Sequence, residues 1–120
     1  MSKKILLVDD EEVVVEIGQK RLSQQGYTVS TASNGEEALA SLDDGLPDLI
    51  VLDIEMPKMN GYVFLTELEK RNDFPQLPPI IVVTAYAQME AIFRRHQIRD
   101  YLMKPLRLQE LIAKIKTVIG

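Results

Sequence analysis

The stretch ILLVDDEE, residues 5–12, joins four apolar residues directly to four carboxylates. Short runs rich in branched apolar residues are typical of strands buried on both faces of a parallel sheet. Two more such runs, at residues 49–52 and 80–83, end in Asp53 and Thr84. Glu11 and Glu12 suit the first turn of a following helix, where acidic side chains interact favourably with the helix dipole. We therefore predict a buried sheet whose strands end in polar side chains.

The segments between these runs change to helical spacing. Val14, Ile17 and Leu22 lie on one predicted helix face, and Gly26 follows as a C-terminal cap. Strand and helix alternate five times, which predicts one α/β domain over residues 1–120 with a parallel sheet and helices on both faces. The other predicted helices begin near the capping sequence at residues 33–36 and span 62–70, 88–97 and 108–119, and the weaker strands span 27–32 and 101–103. In the helix at 62–70, Val63, Leu65 and Leu68 are the predicted inward residues.

Composition excludes several functional classes. The chain has 120 residues, no cysteine and a formal net charge of −4, which excludes disulfides and thiolate metal sites and disfavours nucleic-acid binding. A single histidine, His96, excludes zinc sites built from several histidines. No apolar run has the length of a signal-peptide core or a membrane span, so we expect a cytoplasmic protein without membrane contact.

The polar residues that follow the predicted strands should converge, because ligands of an open parallel sheet bind beyond the carboxyl ends of its strands. These residues are Asp9, Asp10, Asp53, Thr84 and Lys104. Carboxylates about 4 Å apart repel by roughly 4 kcal/mol at an effective dielectric constant near 20. Three acids and one lysine leave a charge of −2, and oxygen ligands favour Mg²⁺ or Mn²⁺ over zinc.

This set of side chains suits phosphoryl transfer, which depends on positioning and charge neutralisation. Asp53 stands alone at the end of the central strand and is the predicted nucleophile. Lys104 and Thr84 can donate to phosphoryl oxygens, and Asp9 and Asp10 form a pair suited to a metal. Each residue alone has an ordinary structural explanation, as a helix start, a turn or a strand end. Five together at one sheet edge favour a functional site.

Four segments carry a resemblance to a known family. LLVDDEE, DLIVLDIEMPKMNGYVFL, IIVVTAY and DYLMKPL occur in order, and the chain resembles a response-regulator receiver domain of the chemotaxis-regulator type along nearly its whole length. The resemblance implies a flavodoxin-like, doubly wound five-stranded parallel sheet of strand order 2-1-3-4-5. It also implies a phospho-accepting switch in a two-component phosphorelay rather than an enzyme acting on other substrates.

The resemblance also implies residue roles. Asp53 is the implied phosphorylation site, with Thr84 and Lys104 as its catalytic partners. Asp10, Asp53 and the backbone carbonyl of Glu55 would bind Mg²⁺ directly, and Asp9 would act through water. The donor would be a phosphohistidine on a histidine kinase or a histidine phosphotransfer protein.

The same resemblance implies how the signal leaves the site. Thr84 and Tyr101 would form the switch, and the Lys104–Pro105 peptide bond would be cis. Phosphorylation would change the face formed by residues 88–97, Tyr101 and residues 106–119, and this face would contact an output partner or effector domain that the sequence does not identify.

The chain departs from the family pattern at several positions. Glu55 places a carboxyl group two residues after Asp53, so the resemblance does not carry over the family's ordinary phosphate lifetime. Residues 72–79 form a long connection, and the stretch from Thr84 to Lys104 is short, which predicts a short or irregular helix at 88–97. Arg107 stands where Ser or Asp would cap the last helix better.

Three other functions fit parts of the pattern. A phosphohydrolase would also use Asp, Thr, Lys and Mg²⁺, but it typically has two aspartates spaced DxD, whereas Ile54 and Glu55 follow Asp53. An interaction module that works without phosphorylation would tend to lose the complete polar set. A flavin-binding electron carrier would need a phosphate-binding loop rich in Ser and Thr after the first strand, where the sequence has DDEE.

Overall fold

A computed structural model describes residues 2–55, 61–71, 76–85 and 98–120, except for the side chain of Tyr62. Its sheet is parallel throughout, with the order β2-β1-β3-β4-β5, as the resemblance implied. The strands are β1 (Lys4–Val8), β2 (Thr28–Ala32), β3 (Leu49–Asp53), β4 (Ile80–Thr84) and β5 (Ile98–Met103). The last strand therefore begins three residues earlier than the apolar pattern predicted.

The helices cover both faces of this sheet. They are α1 (Glu12–Gln24), α2 (Gly35–Ser41) with a 3₁₀ turn at Leu42–Asp44, α3 (Gly61–Lys70) and the C-terminal helix (Leu108–Ile119). The helix predicted at residues 88–97 lies outside the described residues, as do residues 56–60 and 72–75. None of the helices in the described ranges combines the length and apolar character needed to cross a membrane.

The helix ends follow local sequence chemistry. The Asn34 side chain caps α2 by accepting from the backbone N–H of Glu37, and the Glu37 carboxylate accepts from the backbone N–H of Ser33. Gly26 ends α1 with a φ of +96°, a conformation that side chains disfavour. Arg107 precedes the C-terminal helix without a side-chain capping bond, as its residue type predicts.

Two apolar layers enclose the sheet because successive strand residues point to opposite faces. Every residue of β3 and β4 is buried, as expected for central parallel strands. One layer contains Leu6, Val8, Ile50, Leu52 and Phe64 under α2 and α3. The opposite layer contains Ile5, Leu7, Val51, Leu111 and Ile115 under α1 and the C-terminal helix.

Two of the predicted inward positions are wrong. Ile17 on α1 is 48% exposed and Val63 on α3 is 41% exposed, whereas Leu22, Leu65 and Leu68 are buried as predicted. Helical spacing identifies an apolar face but does not show which of its edges the sheet covers.

Parallel pairing aligns the ends of the strands at one edge. Val8 pairs with both Ala32 and Leu52, and Asp53 pairs with Val83. The backbone N–H of Lys104 donates to the Thr84 carbonyl at 2.9 Å, which continues the ladder beyond β4 and β5. The residues directly after the strands therefore meet at this edge, although they are far apart in sequence.

Candidate functional site

Asp53 is the least exposed of the ionisable residues that the structure describes at this edge. It is the last residue of β3 and is 1% exposed. Its Oδ1 accepts from the backbone N–H of Glu55 at 3.0 Å and lies 2.9 Å from Nζ of Lys104. Its Oδ2 is buried and has no hydrogen-bond partner among the described residues. A buried carboxylate oxygen without a partner is costly, and its position suits a ligand or a reacting group.

Three carboxylates, including that of Asp53, converge at this edge. Asp9, Asp10 and Asp53 each place a carboxylate oxygen within 4.8 Å of the others. Asp9 is buried and accepts from the backbone N–H of Glu11 at 2.9 Å, whereas Asp10 is exposed. The sequence expectation that these three residues come together therefore agrees with the geometry.

Burial makes the two buried carboxylates of the cluster, Asp9 and Asp53, harder to ionise. Burial raises the pKa of Asp53 from 3.8 to about 7, and the charge of Asp9 adds to this increase against the opposing effects of Lys104 and the Glu55 N–H. Burial also raises the pKa of Asp9, and the Glu11 N–H and Lys104 offset part of the increase. The attraction of Lys104 therefore does not fully replace the hydration that the two charged carboxylates lose on burial.

Lys104 follows β5 and lies between two carboxylates. Its Nζ is 2.9 Å from Oδ1 of Asp53 and 3.4 Å from Oε1 of Glu55. Burial lowers the pKa of Lys104, but its hydrogen bond to Asp53 and the charges of Asp53 and Glu55 outweigh burial and raise the pKa above 10.5. Lys104 is therefore a permanent cation at neutral pH, even though the aspartate that it contacts is hard to ionise.

Thr84 ends β4 and is fully buried. Its hydroxyl donates to Oε2 of Glu55 at 2.8 Å, and the backbone N–H of Ala85 donates to Oε1 of Glu55 at 2.8 Å. The sequence showed that Glu55 lies near the site but did not reveal these contacts. Ala85 was missed altogether because its contribution is a backbone N–H, which every residue except proline possesses.

Tyr101 lies within β5, and Pro105 directly follows Lys104. Tyr101 pairs with Val82 and is 43% exposed. The Lys104–Pro105 peptide bond is cis, as the resemblance implied. The remaining part of the expected output face, residues 88–97, lies outside the described residues.

The described residues fit a hard divalent cation. Three carboxylates within one small volume, one of them with an unpartnered buried oxygen, supply the oxygen ligands that Mg²⁺ prefers. A divalent cation would also offset the cost of ionising the buried aspartates.

Comparison with known proteins places this geometry in context. Residues 5–116 match the family model described as the response regulator receiver domain. The chain is 43% identical to the probable transcriptional regulator ycf27 of Porphyra purpurea over 120 residues, covering 98% of the chain and 48% of that protein. It is 38% identical to the alkaline phosphatase synthesis transcriptional regulatory protein PhoP of Bacillus subtilis, covering 99% of the chain and 49% of that protein. The chain thus spans about half the length of the curated relatives it matches.

Solved structures show the same similarity over whole chains. The response regulator TrrA of Thermotoga maritima, solved in complex with Mg²⁺ and BeF, is 36% identical with a TM-score of 0.77, covering 98% of this chain and 99% of that one. A CheY-like receiver domain from Methanospirillum hungatei is 32% identical with a TM-score of 0.83, covering 98% and 93%.

Proposed function

Because this chain belongs to the response regulator receiver domain family, we propose that it is a phospho-accepting signalling switch of a two-component phosphorelay. In this proposal residues 1–120 form one receiver domain, and Asp53 accepts a phosphoryl group from a phosphohistidine. The domain regulates rather than turning over a separate substrate. We also propose a cytoplasmic location and no direct contact with nucleic acid, in keeping with the net charge of −4.

The observation that carries the proposal is the state of the Asp53 carboxylate. One oxygen is fixed by the Glu55 N–H and Lys104, and the other is buried without a partner among the described residues. The fixed oxygen orients the group, and the unpartnered oxygen is the candidate nucleophile. Orientation of this kind reduces the entropic barrier of group transfer.

The transfer itself exchanges one bond to phosphorus for another. Oδ2 of Asp53 forms the new bond to phosphorus while the bond between phosphorus and the donor imidazole nitrogen breaks, and the imidazole keeps that electron pair and takes up a proton. Lys104 and the Thr84 hydroxyl are the proposed donors to the phosphoryl oxygens. Charge-assisted hydrogen bonds of this type are roughly twice as strong as neutral ones.

We propose that Asp9, Asp10, Asp53 and the backbone carbonyl of Glu55 hold Mg²⁺, with Asp9 acting through water. Mn²⁺ would satisfy the same oxygen ligands. When bound, the cation supplies positive charge that stabilises the ionised form of Asp53 and the phosphoryl oxygens. The acidic cluster and the raised pKa of Asp53 support this assignment.

A groove beside the site is the proposed contact for the phosphodonor. It has a volume of about 580 Å³ and is bounded by Asp9 and Lys104 at the site and by apolar side chains of α1 and the segment after β5. Val13 and Ile17 are 67% and 48% exposed along it. We propose that a helix of a histidine kinase or phosphotransfer protein packs here, because the groove has exposed apolar side chains and is lined by Lys104, which contacts Asp53 at 2.9 Å. Replacing Val13 with Asp should slow transfer from such a donor and leave labelling by acetyl phosphate unchanged; equal slowing of both reactions would contradict this contact.

The proposed output follows from Thr84 and Tyr101. A phosphoryl group on Asp53 would engage Thr84, and Tyr101 on the neighbouring strand would rotate and alter the face that it shares with residues 88–97 and 106–119. An unidentified output partner or effector domain would read this face.

NMR spectra with Mg²⁺ and beryllofluoride test this switch and should show shifts at Tyr101. Shifts confined to the surroundings of Asp53 would exclude the switch.

Phosphorylation by a small donor tests the assignment of Asp53. Incubation with Mg²⁺ and acetyl phosphate should add one base-labile phosphoryl group to the wild-type chain, measured by intact mass. Asp53→Asn should add none, because an amide oxygen is a far weaker nucleophile, and Asp100→Asn serves as an aspartate control away from the cluster.

Two results would contradict the proposal. Equal labelling of Asp53→Asn would place the acceptor elsewhere. Sustained turnover of a generic phosphate ester by the wild-type chain would instead favour a phosphohydrolase.

A further inference from the structure

The Glu55 carboxylate lies where three donors from the ends of β4 and β5 meet. Its Oε2 accepts from the Thr84 hydroxyl at 2.8 Å, and its Oε1 accepts from the Ala85 N–H at 2.8 Å. Nζ of Lys104 is 3.4 Å from Oε1. Both carboxylate oxygens are therefore bound within a preformed anion-binding site that contains a hydroxyl, a backbone N–H and an ammonium group.

Lys104 joins this anion site to Asp53, and in the proposed function Thr84 and Lys104 donate to a phosphoryl group on Asp53. Lys104 contacts Asp53 at 2.9 Å and Glu55 at 3.4 Å, so one ammonium group already serves both carboxylates. A phosphoryl group carries more negative charge than a carboxylate, and two anions held by the same donors repel each other. The Glu55 carboxylate and a phosphoryl group on Asp53 therefore compete for the same donors.

Glu55 has a route out of this position. Its side chain is 28% exposed, whereas Asp53 is 1% exposed. Rotation of this partly exposed side chain can carry its carboxylate to solvent while Asp53 stays in the sheet. The competing anion is tethered next to the site and is displaceable.

We propose that Glu55 competes with the phosphoryl group for one binding site. The Glu55 carboxylate occupies the Thr84–Ala85–Lys104 anion site until an incoming phosphoryl group displaces it. This inference rests on the proposed function, in which Asp53 is the acceptor. Glu55 thereby sets how readily the site takes up an anion. It also means that Thr84 exchanges one anionic partner for another, so release of the Glu55 side chain is part of the surface change that accompanies phosphorylation.

Anion affinity in Glu55 variants tests the competition. Wild type, Glu55→Gln and Glu55→Ala would be titrated with beryllofluoride at fixed Mg²⁺ and followed by the amide resonance of Ala85. We expect tighter binding by about tenfold to a hundredfold in Glu55→Ala, roughly the effect of one charge-assisted hydrogen bond. The affinity of Glu55→Gln should lie between those of wild type and Glu55→Ala, because its side chain keeps the shape of glutamate but loses the charge. Glu36→Gln, an exposed residue of α2, makes the same change in net charge and should bind as wild type does.

A second measurement examines the contact itself without Mg²⁺ or an added anion. The Ala85 amide proton should move upfield in Glu55→Ala, because its carboxylate acceptor is gone, and should stay in place in Glu36→Gln. Affinities of both Glu55 variants within twofold of wild type would overturn the competitor role. An unmoved Ala85 resonance would overturn it as well.

Acetyl phosphate labelling of the same four proteins separates this inference from its premise. Labelled Asp53 together with unchanged anion affinities would reject the role of Glu55 and leave the acceptor assignment intact. Absence of labelling at Asp53 in all four proteins would reject both. Faster labelling of Glu55→Ala than of wild type, with Asp53 as the labelled residue, would support both.

Discussion

The two halves of the site differ in how their charge is balanced. The acidic half, formed by Asp9, Asp10 and Asp53, gathers three carboxylate oxygens within 4.8 Å and leaves Oδ2 of Asp53 without a partner among the described residues. The donor half, formed by Thr84, Ala85 and Lys104, already holds an anion, the carboxylate of Glu55. The acidic half therefore has negative charge that an added cation would offset. In the donor half, the Glu55 carboxylate already takes the place of the anion that we propose it binds.

This difference shows that a folded receiver domain need not balance its site evenly before it binds ligands. The end of β3 contributes to the first half and contacts the second, since Asp53 belongs to the acidic half and Glu55, two residues later, accepts from the donor half. Lys104 lies between them and contacts both carboxylates. Changes at these shared residues should therefore reveal how strongly the two halves are coupled.

The largest expected effect is on the pH dependence of stability in the absence of metal. The folded-state pKa of Asp53 is raised to about 7 by burial and by Asp9. A raised pKa means that the folded state holds the Asp53 proton more tightly than the unfolded state does. Protonation of Asp53 therefore stabilises the folded state, and this contribution is complete below a pH of about 3.8 and is lost as pH rises through about 7. Urea unfolding in chelator should show a loss on the order of 3 to 4 kcal/mol across this window, from a shift of about three pKa units.

Asp53→Asn should flatten that profile because an amide does not titrate. The shared cation, Lys104, stays charged throughout the window, since its pKa is raised above 10.5. Between pH 4 and pH 7, the free energy of unfolding of wild type should differ from that of Asp53→Asn in its pH dependence. The same change in both proteins would show that burial of Asp53 carries no such cost.

Removal of the shared cation should have the next largest effect. Lys104→Met leaves Asp53 buried without its partner, and breaking a buried ion pair costs about 3 kcal/mol or more. Lys114→Met is the matched control, because Lys114 also contacts an aspartate at 2.9 Å, but that pair, with Asp100, is more exposed. An exposed pair is worth about 1 kcal/mol or less.

Double-mutant cycles in denaturant would divide the effect of Lys104 between the two halves. We expect stronger coupling of Lys104 to Asp53 at 2.9 Å than to Glu55 at 3.4 Å. Equal costs for Lys104→Met and Lys114→Met would show that the site lysine behaves as an ordinary surface residue.

Metal addition should sharpen the contrast by stabilising only the acidic half. A ligand present at 100 times its Kd stabilises the folded state by about 2.7 kcal/mol. Asp10→Asn should lose most of this gain, yet in chelator it should be more stable than wild type by up to about 1 kcal/mol, because one of three like charges is gone. Thermal melts with Mg²⁺ and with chelator measure both effects. An Asp10→Asn variant less stable than wild type in chelator would contradict the repulsion between these acids.

The smallest expected effect comes from the packing behind both halves. A Cβ on Gly61 would lie 2.7 Å from Cα of Ile54 and 2.8 Å from the carbonyl oxygen of Asp53. Gly61→Ala should therefore displace the end of β3 and cost about 1–2 kcal/mol, as overpacking of a rigid neighbour does. Chemical denaturation measures the cost, and the rate of acetyl phosphate labelling should fall with it.

Gly18→Ala is the control for Gly61. Its Cβ would meet only the Cδ2 atom of Leu7, at 2.9 Å, which is the movable end of a side chain. The gain in helix propensity, about 1 kcal/mol for Gly to Ala, should offset that contact. A larger loss in Gly18→Ala than in Gly61→Ala would show that the backbone of β3 yields easily.

Much of the fold and part of the site were predictable because their signals are local. Buried central strands need apolar residues on both faces, and this requirement produced the runs at residues 5–8, 49–52 and 80–83. Exposure along a helix was less predictable. Ile17 and Leu22 belong to one apolar face of α1, yet only Leu22 is covered, because the position of the sheet beneath the helix decides which edge is buried.

Residue types and their spacing specify the strand ends and their chemistry: three carboxylates, a threonine and a lysine follow apolar runs directly. Parallel pairing then brings such ends to one edge, so their convergence followed from the pattern. How the charges pair is visible only in the folded chain. It leaves one oxygen of Asp53 without a partner among the described residues and joins Glu55 to Thr84 and Ala85. The physical reason is that such contacts depend on side-chain rotation and backbone N–H direction within a few tenths of an ångström, which residue types and spacing do not encode.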